Sequence, residues 1–106
     1  MSARAGVIDA LLARRRSLLR DAATKYAAGN AAGADVAEAE ARALEAWVMV
    51  HFGFVTRATL DARRDACARL VRASIDIDAP EARGHRAWLA GYETGRRLYS
   101  DVETGS

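Results

Sequence analysis

Residues 46–55 read Ala46-Trp-Val-Met-Val-His-Phe-Gly-Phe-Val55, and the fold turns on how this run is taken. It is apolar on every side, which marks a segment expected to be the most buried of the chain. Its valines and phenylalanines also suit a buried strand. The residues leading into it decide the matter. Val36, Leu44, Trp47 and Val48 recur at helical spacing and share one face. The run is therefore the end of a helix to about His51, with Gly53 in the turn that follows. Asp35, with Glu38 three residues on, has capping-box spacing and is the expected start of that helix.

Working outward, residues 2–28 carry Val7, Ile8, Leu11, Leu12, Leu18, Leu19 and Tyr26 at intervals of three, four and seven. That is an amphipathic helix, closed by Gly29-Asn30 as a C-terminal cap. Residues 29–34, Gly-Asn-Ala-Ala-Gly-Ala, read as a flexible linker. Beyond the central run, Thr56 or Thr59 caps a third helix to about Ala73, with Leu60, Cys67, Leu70 and Val71 on its apolar face. Asp78 is the expected cap of a fourth helix, with Pro80 in its first turn and Glu81 at the capping-box position. His85, Trp88, Leu89, Tyr92 and Tyr99 form its stripe, and residues 103–106 are expected to fray. The fold class predicted is all-α, a small antiparallel bundle of about four helices in one domain spanning residues 1–106.

Composition narrows the function classes. The chain has 106 residues, 51% apolar, with one Pro, one Cys and a net charge of +2. One cysteine cannot build a disulfide scaffold. No run reaches the roughly 18–20 apolar residues of a membrane span, and no apolar block follows Arg4 as in a signal peptide. A cytoplasmic protein with no membrane contact is the expectation. Of the apolar residues, 25 are Ala, which forms helix well but buries little surface. Stability should be modest, and a homodimer or another apolar partner surface would raise it.

Charge alternates along the chain: net +4 over residues 1–28, −3 over 29–55, +3 over 56–73 and −2 over 74–106. In an up-and-down bundle each helix would then lie beside helices of opposite sign, which helps specify topology.

Little here resembles an active site. His51 and His85 are the only histidines, and no metal-ligand spacing and no Gly-x-Ser-x-Gly elbow occurs. His51 reads as a core histidine and Cys67 as a small hydrophobe. Asp76 and Asp78 are spaced like a two-carboxylate clip, but Asp78 is already engaged as the expected cap. No enzyme, cofactor or metal is expected.

Two function classes remain. The first is a non-enzymatic protein-interaction or regulatory module that inhibits or modulates a larger host complex, in the style of phage and mobile-element accessory proteins. Its anchors would be Trp88, Tyr92 and Tyr99, with Arg96 and Arg97 at the rim, because Trp, Tyr and Arg most often dominate interfaces. Gly84, Gly91 and Gly95 on the same helix suggest close approach by another backbone. Arginines would steer the module toward an acidic or nucleic-acid-binding partner complex. The second class is a small nucleic-acid-binding transcriptional regulator using Arg14, Arg16 and Arg20 of the first helix and Arg57, Arg63 and Arg64 of the third. A helix-turn-helix across residues 45–64 would be one form of it. The two classes differ in whether these arginines merge into one stripe or pair with the acidic helices.

The segment Arg86-Ala87-Trp88-Leu89-Ala90-Gly91-Tyr92 resembles the Trp-Leu-x-Gly-aromatic stretch of the ribosome modulation factor family. It covers under a tenth of the chain, no other feature of that family matches, and no function is carried over.

Overall fold

The computed structural model describes the backbone of residues 3–105 and the side chains of residues 6–100. Four helices follow one another: α1 (Ala3–Ala27), α2 (Ala31–His51), α3 (Arg57–Ala73) and α4 (Pro80–Gly105). No strand occurs among the described residues, and the helices pack on one another as a small all-α bundle.

The 46–55 run is helical to His51 and then turns. The Gly53 N–H donates to Val50 O and the Phe54 N–H to Met49 O, with Gly53 at φ +80°. This paired closure needs a left-handed residue, which glycine adopts without a Cβ penalty. The same motif ends α1, where Gly29 has φ +81° and the Asn30 N–H donates to Lys25 O.

Asn30 also starts the next helix. Its Oδ1 accepts from the Gly33 N–H at 3.0 Å, which makes it the N-cap of α2. The linker expected over residues 29–34 is therefore only a tight turn, and residues 31–34 form the first turn of α2. Asp35 does not cap; its carboxylate accepts from the Tyr26 hydroxyl at 2.7 Å. Thr56 caps α3 through the Thr59 N–H, as expected. The α4 start differs: Ala79 supplies the first carbonyl, to Arg83, and the Asp78 N–H is held by Asp76 Oδ1. At the far end α4 continues to Gly105, so most of the stretch expected to fray is helical, and Ser106 lies outside the described residues.

Cross-helix contacts fix the topology. Arg14 meets Glu40 and Tyr26 meets Asp35, so α1 and α2 are antiparallel. Asp61 meets Tyr92 and Arg63 meets Trp88, so α3 and α4 are antiparallel. Gly91 lies at Glu40 and Gly95 at Trp47, so α2 and α4 run parallel, side by side. Helix α2 packs mainly on α1 and α4, and α3 packs mainly on α4. Helices α1 and α3 lie apart, flanking the α2–α4 pair.

The expectation from charge holds for α1–α2 and α3–α4, where basic and acidic helices pack together, and is corrected at α2–α4. The central pair brings two acidic segments together. What joins them is an apolar seam: Trp47, 0% exposed, stacks on Tyr99 with centroids 5.1 Å apart and donates Nε1–H to the Tyr92 carbonyl at 3.0 Å. Alanine contributes more to packing than its small surface suggests. Ala34, Ala37, Ala41 and Ala43 are buried because α2 is flanked by α1 and α4, and small side chains let both approach closely.

Candidate protein-docking site

The predicted anchors are core residues. Trp88, Tyr92 and Tyr99 are 4–7% exposed and pack within the chain's own core. Trp88 stacks on Tyr92 at 5.9 Å, and the Tyr92 hydroxyl donates to Asp61 Oδ1 at 2.7 Å. Burial, then this bond, raises the Tyr92 phenol above its usual range, since both disfavour the phenolate. The stripe thus faces α2 and α3 and offers no anchor to another protein. Arg96 and Arg97 are exposed but bend back onto their own helix, at the Glu93 carboxylate (3.0 Å) and the Glu93 carbonyl (3.4 Å).

The arginines assigned to nucleic acid do not form one surface. Arg14, Arg16 and Arg20 are on α1, and Arg57, Arg63 and Arg64 are on α3, which α1 does not touch. Arg14 pairs with Glu40 of α2 at 3.1 Å, and its neighbour Arg15 with Glu45 at 3.3 Å. Arg57 bonds Asp61 and lies 4.7 Å from the Trp47 ring centroid. Arg63 lies 5.3 Å from the Trp88 ring centroid, and Arg64 pairs with Asp65 at 2.9 Å. Arg16 and Arg20 are exposed on α1. The helix-turn-helix expectation also weakens, because α2 and α3 touch only slightly where that motif needs close packing.

The exposed apolar surface gathers where the sequence promised the deepest burial. Met49 is 40% exposed, Phe52 61% and Phe54 78%, with Val55 half-buried. His51, expected in the core, is exposed and meets the Phe52 ring edge-on at 4.9 Å. The reason is topological. The Gly53 turn carries the chain away from α2 before another helix can cover this end, and α3 then leans on α4.

That departure opens a groove of about 450 Å³ between α2 and α3. Its apolar lining is Ala46, Met49, Val55, Leu60 and Trp88, with Arg42, Arg63, Glu45 and Thr59 as polar members. A second hollow of about 250 Å³ shares Arg42, Arg63 and Trp88 and carries the surface on toward His85. Leu70, Ile75 and Ile77 are a second exposed apolar set, around the α3–α4 connection, and among the described residues no groove is lined by them.

The available sequence signal for the corner was an apolar run continuing past a turn glycine: Phe52, Phe54 and Val55 flank Gly53. Turn residues lie at the surface, so three large apolar groups there were candidates for exposure.

Among the described residues, no group of three or more His, Cys, Asp or Glu is placed to hold a metal ion. Cys67 is a buried free thiol, and burial pushes its pKa up, as for a small hydrophobe. No helix among them is long and apolar enough to cross a membrane. The chain matches no protein-family model, no curated protein and no solved structure.

Proposed function

We propose that this chain is a non-enzymatic protein-interaction module with a regulatory role, acting by occupying a protein surface through its α2–α3 corner. One observation carries the reading: Met49, Phe52 and Phe54 are exposed apolar side chains within six residues of one another, beside a groove whose lining is mostly apolar. Clustered exposure of this kind marks interaction sites, whereas single exposed apolar residues do not. Methionine and phenylalanine also suit contact surfaces, one by adaptability and the other by area. The arginine geometry supports protein over nucleic acid, since the two basic sets are separated and largely paired. A cytoplasmic setting fits the single buried free thiol.

A photo-crosslinking benzoylphenylalanine in place of Phe54, and separately in place of Arg20, tests the reading in cells expressing the chain. Nuclease-resistant protein adducts from position 54 are expected. Nuclease-sensitive adducts from position 20 alone would favour the nucleic-acid regulator. Titration of labelled duplex DNA gives an independent check. Binding that weakens ~10³-fold or more between ~50 and ~200 mM salt would mean six or more phosphate contacts and would overturn the proposal.

A further inference from the structure

We propose that the occupant of the α2–α3 corner is a second copy of this chain, in a twofold pair where Phe54 of each copy enters the groove of the other. The inference rests on the corner being a protein-binding surface and adds what binds there. A twofold contact sets one patch against itself, so that patch must contain both halves of the fit. This corner contains both. Phe54, at 78% exposure, is the knob. The groove of about 450 Å³ is the hole, and two of its lining residues, Met49 and Val55, flank the turn that bears Phe54. Knob and hole are thus neighbours on one chain, as exchange across a twofold axis requires.

Charge agrees with a copy as occupant. The entering segment, Phe52-Gly53-Phe54-Val55-Thr56, is uncharged. It therefore brings no like charge against Arg42 or Arg63. The groove's own ionic groups are mixed, with Arg42 and Arg63 set against Glu45. Glu45 already pairs with Arg15, and Arg63 already lies on Trp88. With two arginines against one glutamate that is already paired, the lining repels a basic insert and accepts an uncharged apolar one.

Area sets the strength. A large side chain exposes roughly 200 Å² when free. Exposures of 61% and 78% for Phe52 and Phe54, with 40% for Met49, then offer roughly 350 Å² per copy, or roughly 700 Å² per pair. Stable interfaces begin near ~1,200 Å² in total. The pair is therefore reversible and concentration-dependent, with micromolar or weaker affinity.

Sedimentation velocity from micromolar to millimolar chain concentration tests this. The wild type is expected to shift from monomer to dimer across that range. Phe54→Asp, which removes the knob, and Met49→Glu, which blocks the hole, should each remain monomeric while far-UV circular dichroism and melting temperature hold near wild type. An equimolar mixture of the two variants retains one intact knob and one intact hole, so it should recover part of the association. A wild type that stays monomeric at millimolar concentration overturns the proposal. So does a Phe54→Asp chain that dimerises normally, or a mixture that associates no better than its components. The position-54 crosslink separates this inference from the one beneath it. An adduct of twice the chain mass supports the pair. An adduct with a different protein overturns the pair and leaves the protein-binding reading intact, whereas no protein adduct at all sinks both.

Discussion

Replacing one α4 glycine by alanine should stabilise the protein, and replacing another should destabilise it. In a helix interior, Gly→Ala is worth up to ~1 kcal/mol in favour of folding. At Gly84 an added Cβ meets nothing within 4 Å. Gly84→Ala should therefore show most of that gain, ~0.5–1 kcal/mol. At Gly91 the added Cβ lies 2.8 Å from Ala43 Cβ and 3.2 Å from the Glu40 carbonyl carbon, and it overlaps the Glu40 carbonyl oxygen. A backbone carbonyl cannot rotate aside, so α2 and α4 must separate until carbons sit near ~3.5 Å. Overpacking of this kind costs ~1–3 kcal/mol. Separation also stretches the buried Trp47 Nε1–Tyr92 O bond, 3.0 Å long and one residue away, at a further ~1–3 kcal/mol if its groups are left unsatisfied. Subtracting the helical gain leaves Gly91→Ala destabilised by ~1–5 kcal/mol, centred on ~3 kcal/mol. At ~4–8 °C per kcal/mol, a ~3 kcal/mol loss lowers the melting temperature by ~12–24 °C. Urea unfolding followed by circular dichroism measures both variants. If Gly91→Ala proves as stable as Gly84→Ala, the close parallel approach of α2 and α4 is refuted.

Trp47→Phe keeps most of the ring volume but removes the indole donor, while the Tyr92 carbonyl keeps its place in the α4 ladder, so chemical denaturation should show a loss of ~0.5–1.5 kcal/mol. Arg14→Ala breaks a cross-helix pair whose arginine is half-exposed; the cost should be under ~1 kcal/mol and fade in high salt. At high pH, the raised Tyr92 pKa means the unfolded chain ionises first, near the ordinary value of 10.0. Stability is then fully present below that pH and is lost as pH rises toward the folded-state pKa. Thermal melts from neutral to strongly alkaline pH should record that decline. Tyr92→Phe should flatten the decline without abolishing it, since the Tyr26 phenol, bonded to Asp35, is shifted the same way. An unchanged slope in Tyr92→Phe would remove Tyr92 from this account.

The helices were legible where local chemistry decides them. Gly29 and Gly53 announce left-handed closures, and Thr56 announces a cap, because each acts on its own few residues. The start of α2 departs from the sequence spacing for a physical reason. Asp35 and Glu38 have the spacing of a cap, yet Asn30 lies nearer the Gly29 turn and captures the Gly33 N–H first. Once it does, nothing prevents the alanines between from being helical. The glycines of α4 were half legible. Close approach is true at Gly91 and Gly95 and false at Gly84, and only the neighbouring helix distinguishes them. The docking site was least legible of all. Periodicity shows which residues share a face, but not whether another element will cover it. Trp88 and Tyr92 were covered by α2 and α3, while Phe52 and Phe54 were left bare at the corner.

The parallel α2–α4 pair also bears on the order of folding. Antiparallel neighbours such as α1 and α2 meet through a short turn, so little loop entropy opposes their contact. Parallel neighbours must close the whole intervening chain, as the 45-residue separation of Trp47 and Tyr92 shows. The centre of this molecule should therefore assemble after its flanking hairpins, and its speed should be set by that closure. Stopped-flow refolding would reveal this as helical signal preceding the Trp47 fluorescence change, with Trp47→Phe mainly accelerating unfolding rather than slowing folding. Were that variant instead to slow refolding in proportion to its lost stability, the long-range seam would itself be the nucleus.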